Sequence, residues 1–239
     1  MATFVLVHGG GHGGWCYQRV SRLLQNAGHE VYAPTLTGLS ERSHLVGPHV
    51  DLDLHIQDIA AVLHYENLRD VILVGHSYGG MVITGVGGRA PDRIGKLVYL
   101  DAANPKNGQS LVDVAGPMME MARLGGQLVD GVEMVLLPAP GAGAFYGVTD
   151  PADLAWMDER LTAHPWKCFE QKLELRDEAG YSKIPQYHIS CASTLATRDP
   201  ALIEDARASG RLWVIDTGHD LMITEPEKVA GALAAVAAD

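Results

Sequence analysis

Three side chains in this sequence could together carry out nucleophilic chemistry: Ser77, Asp101 and His219. A serine hydroxyl is a poor nucleophile at neutral pH and needs a base to take its proton. Neutral imidazole suits that task. A carboxylate on the other ring nitrogen fixes the tautomer and stabilises the imidazolium that forms. Acyl transfer by this route also needs fixed N–H donors for the developing oxyanion. Tyr78, the residue after the serine, offers one backbone N–H. The run His8-Gly9-Gly10-Gly11-His12-Gly13-Gly14 offers others, and Gly10 is the expected second donor.

The elements around these residues must position them. Ser77 lies in Gly75-His76-Ser77-Tyr78-Gly79, a G-x-S-x-G pentapeptide. The apolar run Val71–Val74 before it predicts a strand buried on both faces. Met81, Val82 and Val86 after it predict a helix. Strand, sharp turn and helix form the setting in which such a serine projects above a sheet. Without that setting the pentapeptide is weak, because a glycine-rich turn before a helix reads the same way. The His8–Gly14 loop has two readings. A dinucleotide fingerprint needs G-x-G-x-x-G with an acid about 20 positions on, which is not cleanly met. An oxyanion-hole loop of the His-Gly-Gly-Gly type fits better once Ser77 is considered.

Further apolar runs predict strands at Phe4–Val7, Glu30–Ala33, Lys96–Leu100, Gln186–Ala192 and Leu212–Ile215. Helices are predicted over Trp15–Ala27, Asp53–Tyr65, Pro200–Ser209 and Glu225–Ala238, the second capped by Asp51 or Asp53. This alternation predicts an α/β fold with a mostly parallel sheet, whose ligand site lies beyond the carboxyl ends of the strands. Asp101 and His219 both follow strands at that end, although a capping aspartate and an unremarkable histidine would look alike. Arg42 and His44 sit in an irregular loop, bordering a pocket or simply solvated. From 105 to 183 the rhythm stops, which predicts an inserted, mainly helical cap on a core formed by 1–104 and 184–239. Its methionines and aromatics either fill the cap's own core or shape a pocket. Gly9, His76, Met118 and Trp156 are the candidate pocket residues.

The chain has 239 residues, 47% hydrophobic, enough for one large core. A net charge of −11 argues against nucleic acid or an anionic membrane as partner. The three cysteines fit neither C-x-x-C nor a zinc pattern and predict buried thiols in a reducing compartment. No apolar run reaches membrane-span length, and no basic-then-apolar leader precedes the first strand. A cytoplasmic monomer or homodimer without metal or cofactor is expected.

His8-Gly-Gly-Gly-His12-Gly-Gly-Trp15, Gly75-His-Ser77-Tyr-Gly79, and Gly218-His219 with Glu225-Pro226 resemble the α/β-hydrolase branch of plant methylesterases, hydroxynitrile lyases and small bacterial esterases. The resemblance covers nearly the whole chain outside the cap. Thr35-Leu-Thr-Gly-Leu-Ser-Glu-Arg42 and Leu97-Val-Tyr-Leu-Asp101-Ala are similar to the bacterial members, some of which hydrolyse pyrethroid esters or the carbamate carbendazim. It implies a serine hydrolase working through an acyl-enzyme, with the triad in the order Ser, Asp, His. Two departures stand out. Relatives usually carry the acid a few residues after the strand equivalent to Gln186–Cys191, where this chain has Thr194. Lipases of the pancreatic type and some haloalkane dehalogenases carry it after the strand that here ends at Asp101. Asp101 is therefore the expected acid and Asp199 the reserve. Lyases of this branch carry threonine at the Gly9 position and lysine after the histidine; Gly9 and Asp220 point away from them. A dehalogenase would need aspartate at 77. Two function classes stay open: a hydrolase of small hydrophobic carboxylic or carbamate esters, and a non-catalytic small-molecule receptor on the same fold. The intact serine, histidine and glycine loop favour the hydrolase.

Overall fold

Buried β-branched runs and helices alternate through the first hundred residues of the computed structural model, which describes residues 1–239. β1 (Thr3–Val7) leads through the glycine loop into a 3-10 turn, Gly14–Tyr17, and then α1 (Gln18–Asn26). The helix expected from Trp15 thus opens with a tighter turn, since no side chain caps its start. β2 (Glu30–Tyr32) follows, then α2 (Leu52–Tyr65), whose first turn is capped by the Asp51 carboxylate accepting from the Leu54 N–H. β3 (Val71–His76) is buried at every residue, and α3 (Gly79–Arg89) at all but its last. β4 (Ile94–Leu100) completes this part.

The segment 105–183 is not purely helical. α4 (Leu111–Leu124) starts on a Ser110–Asp113 capping box and kinks at Ala115, just before Pro117. Then come β5 (Gln127–Val129), β6 (Val132–Val135), α5 (Pro151–Asp158), β7 (His164–Pro165), α6 (Lys167–Glu170) and α7 (Glu178–Tyr181). β5, β6 and β7 make a small antiparallel sheet. Apolar patterning could not reveal it: β5 is exposed throughout and β7 is only two residues long.

β8 (Gln186–Cys191), α8 (Pro200–Ala208), β9 (Leu212–Ile215), α9 (Leu221–Thr224) and α10 (Pro226–Ala238) return to the main layer. The main sheet runs β2-β1-β3-β4-β8-β9, with every pairing parallel. One face packs on α2, α3 and part of the cap through Ile56, Ile59, Val82 and Phe169. The other packs on α1 and α10 through Val20, Leu24, Val229 and Leu233. Each such side chain, removed from water, contributes about 1.5–3 kcal/mol. β3 and β4 are neighbours with His76 opposite Leu100, so Ser77 and Asp101 emerge side by side at the carboxyl edge. No helix is long and apolar enough to cross a membrane.

Candidate active site

The turn at Ser77 is a constrained elbow. Ser77 has φ +53, a left-handed conformation that costs a residue with a Cβ. Its carbonyl accepts from Gly80 N–H at 3.1 Å and from Ala103 N–H at 3.0 Å, which ties the elbow to the chain after β4. A Cβ at Gly79 would lie 2.6 Å from the Val7 carbonyl oxygen, so glycine lets α3 seat on the end of β1.

Asp101 follows β4 with φ +44 and is buried. His219 donates from Nδ1 to Asp101 Oδ2 at 2.5 Å, which leaves Nε2 to act as a base. Oδ1 accepts from Thr194 Oγ1 at 2.6 Å and the Cys191 N–H at 3.2 Å, and pairs with Arg198 at 2.8 Å. Burial pushes the Asp101 carboxyl up, but His219, Arg198 and Thr194 outweigh it and hold the group well below the usual carboxylate range. Asp199 lies elsewhere, capping α8 by accepting from the Ala201 N–H. His76 is buried and donates from Nε2 to the His219 carbonyl at 3.0 Å. Burial first, and His219 second, push it down to about 3, so it stays neutral.

Three buried histidines hold the glycine loop. His8 donates from Nδ1 to the Gly9 carbonyl at 2.9 Å and accepts the Leu36 N–H at Nε2. His12 donates from Nδ1 to the Gly10 carbonyl at 2.8 Å. His164 accepts the Gly11 N–H at Nδ1. The Gly11 carbonyl accepts from Thr162 N–H at 2.9 Å, so the carbonyls of Gly9, Gly10 and Gly11 are engaged while the Gly10 N–H is uncommitted. A Cβ at Gly9 would stand 2.8 Å from Ser77 Cβ and 2.9 Å from His76 Nδ1, so this backbone has no room for threonine there.

His12 faces acceptors on both nitrogens, because Nε2 meets Asp220 Oδ2 at 2.9 Å, and only the imidazolium satisfies both. Burial pulls His12 down and Asp220 up, yet their mutual attraction wins in each case: His12 is raised above 6.5 and Asp220 lowered below 3.8. The sign of the resulting pH dependence follows from linkage. The contribution of His12 is complete below its unfolded pKa and is lost as pH rises through its higher folded value. That of Asp220 is complete above its unfolded pKa and is lost as pH falls through its lower folded value. Asp220→Asn should therefore cost about 3 kcal/mol in the window between about pH 4 and 6.5, less at pH 9. Thermal unfolding of both proteins at about pH 6 and pH 9 checks this; a gap of constant size would mean that the pair is not ionised.

Leu136 and Phe169 cover the side of Gly10 where a side chain would lie. Leu136 also lines an apolar cleft of about 280 Å³ with Met121, Leu137, Phe145, Tyr146 and Leu161. Tyr146 reaches from the cleft to the Gly10 carbonyl at 3.4 Å, and its ring lies parallel to His219 with centroids 6.4 Å apart. Two candidate pocket residues stand elsewhere. Trp156 packs edge-on against Trp15, between Arg19 and Arg160, and Met118 is exposed on α4. Helix α5 turns Trp156 toward the start of α1, an orientation that spacing alone does not specify. Arg42 is paired with Asp58, far from serving as a free cation.

His55, His164 and Cys168 form the one grouping of metal-ligand type, with ligand atoms within 4.8 Å of one another. His55 and Cys168 are already engaged otherwise. His55 donates from Nε2 to the Thr37 carbonyl and accepts the Tyr78 hydroxyl at Nδ1. Burial pushes the Cys168 thiol up, which keeps its proton on. The grouping thus anchors the Tyr78 side chain beneath the elbow.

A serine elbow, an aspartate–histidine pair beside it and a glycine loop with a free N–H, at the carboxyl edge of a parallel sheet, define an α/β hydrolase. Residues 4–232 match the Alpha/beta hydrolase family, to which the chain belongs. A carbendazim hydrolyzing esterase from Nocardioides sp. (strain SG-4G) is 38% identical, over 99% of this chain and 100% of its own. Methylesterase 2 of Arabidopsis thaliana is 27% identical over 98% of this chain and 95% of its own. An extracellular α/β-hydrolase from a Paenibacillus species superposes with a TM-score of 0.79 at 25% identity, covering 98% of both chains. The chain stands among the carboxylesterase-type hydrolases.

Proposed function

We propose that this chain is a serine esterase that cleaves small, neutral, hydrophobic carboxylic or carbamate esters through an acyl-enzyme on Ser77. The observation that carries the reading is the Asp101–His219 contact at 2.5 Å, which orients an imidazole next to the elbow. Ser77 Oγ attacks the carbonyl carbon while His219 Nε2 takes its proton. The oxyanion accepts from the Gly10 and Tyr78 N–H groups. Collapse breaks the bond to the leaving oxygen, which receives the proton from His219. Water, deprotonated by His219, then attacks the acyl-enzyme and restores the serine. A carbamate carbonyl is open to the same attack, in keeping with the activity named for the Nocardioides relative.

The cleft sets the substrate class. Its wall is aliphatic and aromatic, and three cations that could have met an anionic acyl group are paired instead: Arg42 with Asp58, Arg123 with Glu133, Lys167 with Asp51. Added methylenes should raise kcat/KM by about fourfold each until the cleft is full, at about 0.8 kcal/mol per methylene. Anionic esters with matched leaving groups should be worse by about tenfold or more, since an unpaired charge loses its water. Steady-state kinetics on the two matched series tests this. Equal or higher kcat/KM for the anionic members would refute the apolar-cleft assignment.

A further inference from the structure

A cation, Arg198, stands beside the triad carboxylate. Arg198 follows the 3-10 turn Leu195–Thr197, in the loop after β8. One terminal nitrogen lies 2.8 Å from Asp101 Oδ1 and the other donates to the Ala102 carbonyl at 2.9 Å. The guanidinium therefore bridges the carboxylate and the backbone carbonyl immediately after it. The carboxylate end is fully buried, and the Arg198 side chain is only 21% exposed, so this is not a loose surface pair. Thr194, from the same loop, adds its hydroxyl to Oδ1. The loop after β8 thus surrounds Oδ1 with donors, and His219 and the Cys191 thiol share Oδ2.

We propose that Arg198 is a positioning residue of the relay: it fixes the Asp101 carboxylate for His219 and, as a cation sharing that carboxylate, opposes the imidazolium that His219 must become. This rests on Ser77, His219 and Asp101 acting as proposed above. The physics has two parts. A two-point, charge-assisted contact, to Oδ1 and to the Ala102 carbonyl, fixes the carboxylate whose Oδ2 accepts from Nδ1 of His219. A positive charge bonded to the same carboxylate also opposes the imidazolium that His219 must become, because like charges disfavour each other. The other charged or titratable neighbours are Cys191 at the end of β8, whose thiol donates to Asp101 Oδ2 at 3.2 Å, His76 from the end of β3, neutral by burial, Asp220 from the loop before α9, engaged by His12, and Tyr146 from the cap. His188 on β8, near Arg198, is pushed down to about 4 by burial and then by that arginine. None of these replaces the shared cation.

The test is the pH profile of kcat/KM for Arg198→Met and Arg198→Lys, with fold checked by circular dichroism and with Ser77→Ala as reference. Arg198→Met should lower kcat by about tenfold, as loss of an orienting partner does in other sites. Its acid limb should move up by about one pH unit, with KM little changed. Arg198→Lys should return the acid limb to its original position but recover only part of kcat, because one ammonium cannot hold Asp101 Oδ1 and the Ala102 carbonyl together. An acid limb that stays put in Arg198→Met, whatever happens to kcat, would overturn the proposal. If Arg198→Met does not fold, Arg198→Lys decides: kcat and acid limb both unchanged would overturn the clamp. Turnover retained in Ser77→Ala would instead sink the triad itself, so the two failures are distinguishable.

Discussion

Ser77→Ala is expected to lower kcat by roughly 10⁶, with the fold and KM little affected. The alanine cannot form the acyl-enzyme, and His219 then has no nucleophile to deprotonate. Only the oxyanion donors and substrate binding remain, which still leave roughly 10³–10⁴ over the uncatalysed reaction. His219→Ala should fall as far, because the serine hydroxyl without its base is nearly inert. The double variant should be no worse than either single one, since the residues act as a unit. Steady-state turnover of an activated neutral ester, measured on all three proteins, gives the comparison. Additive losses would mean that the two residues work independently.

Asp101→Asn is the second large effect, with kcat expected to drop by roughly 10³–10⁴. A carboxamide can offer an N–H to Nδ1 of His219 and so stabilise the tautomer that carries its proton on Nε2, where the lone pair is needed. It also leaves Arg198 without its buried counter-charge. Asp199→Asn is the matched control. Asp199 caps α8, asparagine caps a helix about as well, and kcat should not change. Comparison of kcat for the two variants decides which aspartate serves His219. A large loss in Asp199→Asn with normal turnover in Asp101→Asn would reverse the assignment.

The parts of this molecule that local sequence encodes are those with local physics. Val71–Val74 is buried on both faces and is an apolar, mostly β-branched run, so the elbow that follows it was legible. Asp101 could be singled out because it ends an apolar strand next to that elbow. Its partners were not legible. Arg198 lies 97 positions away, an ordinary loop cation by sequence, and only the pairing of β4 with β8 brings it in. Thr194 read as the place of a missing acid, whereas it donates to Asp101. His12 and Asp220, 208 positions apart, meet in a buried pair that no spacing announces. Asp220 looked only like the absence of a lysine. The cap is the least legible part: its strands are short and exposed, and the placement of Trp156 depends on how α5 rotates against α1. Met121 and Tyr146, which line the cleft, have no neighbours in sequence that mark them out.

The most direct test of the account is the site of covalent modification by a fluorophosphonate, located by mass spectrometry of the labelled protein and its peptides. Such a reagent reports a serine activated by its base and mimics the first step of acyl transfer. The expected result is a single adduct, on the peptide containing Ser77, that disappears in Ser77→Ala and falls steeply in His219→Ala. Labelling at another residue, or no labelling by a protein that still turns over esters, would contradict the account.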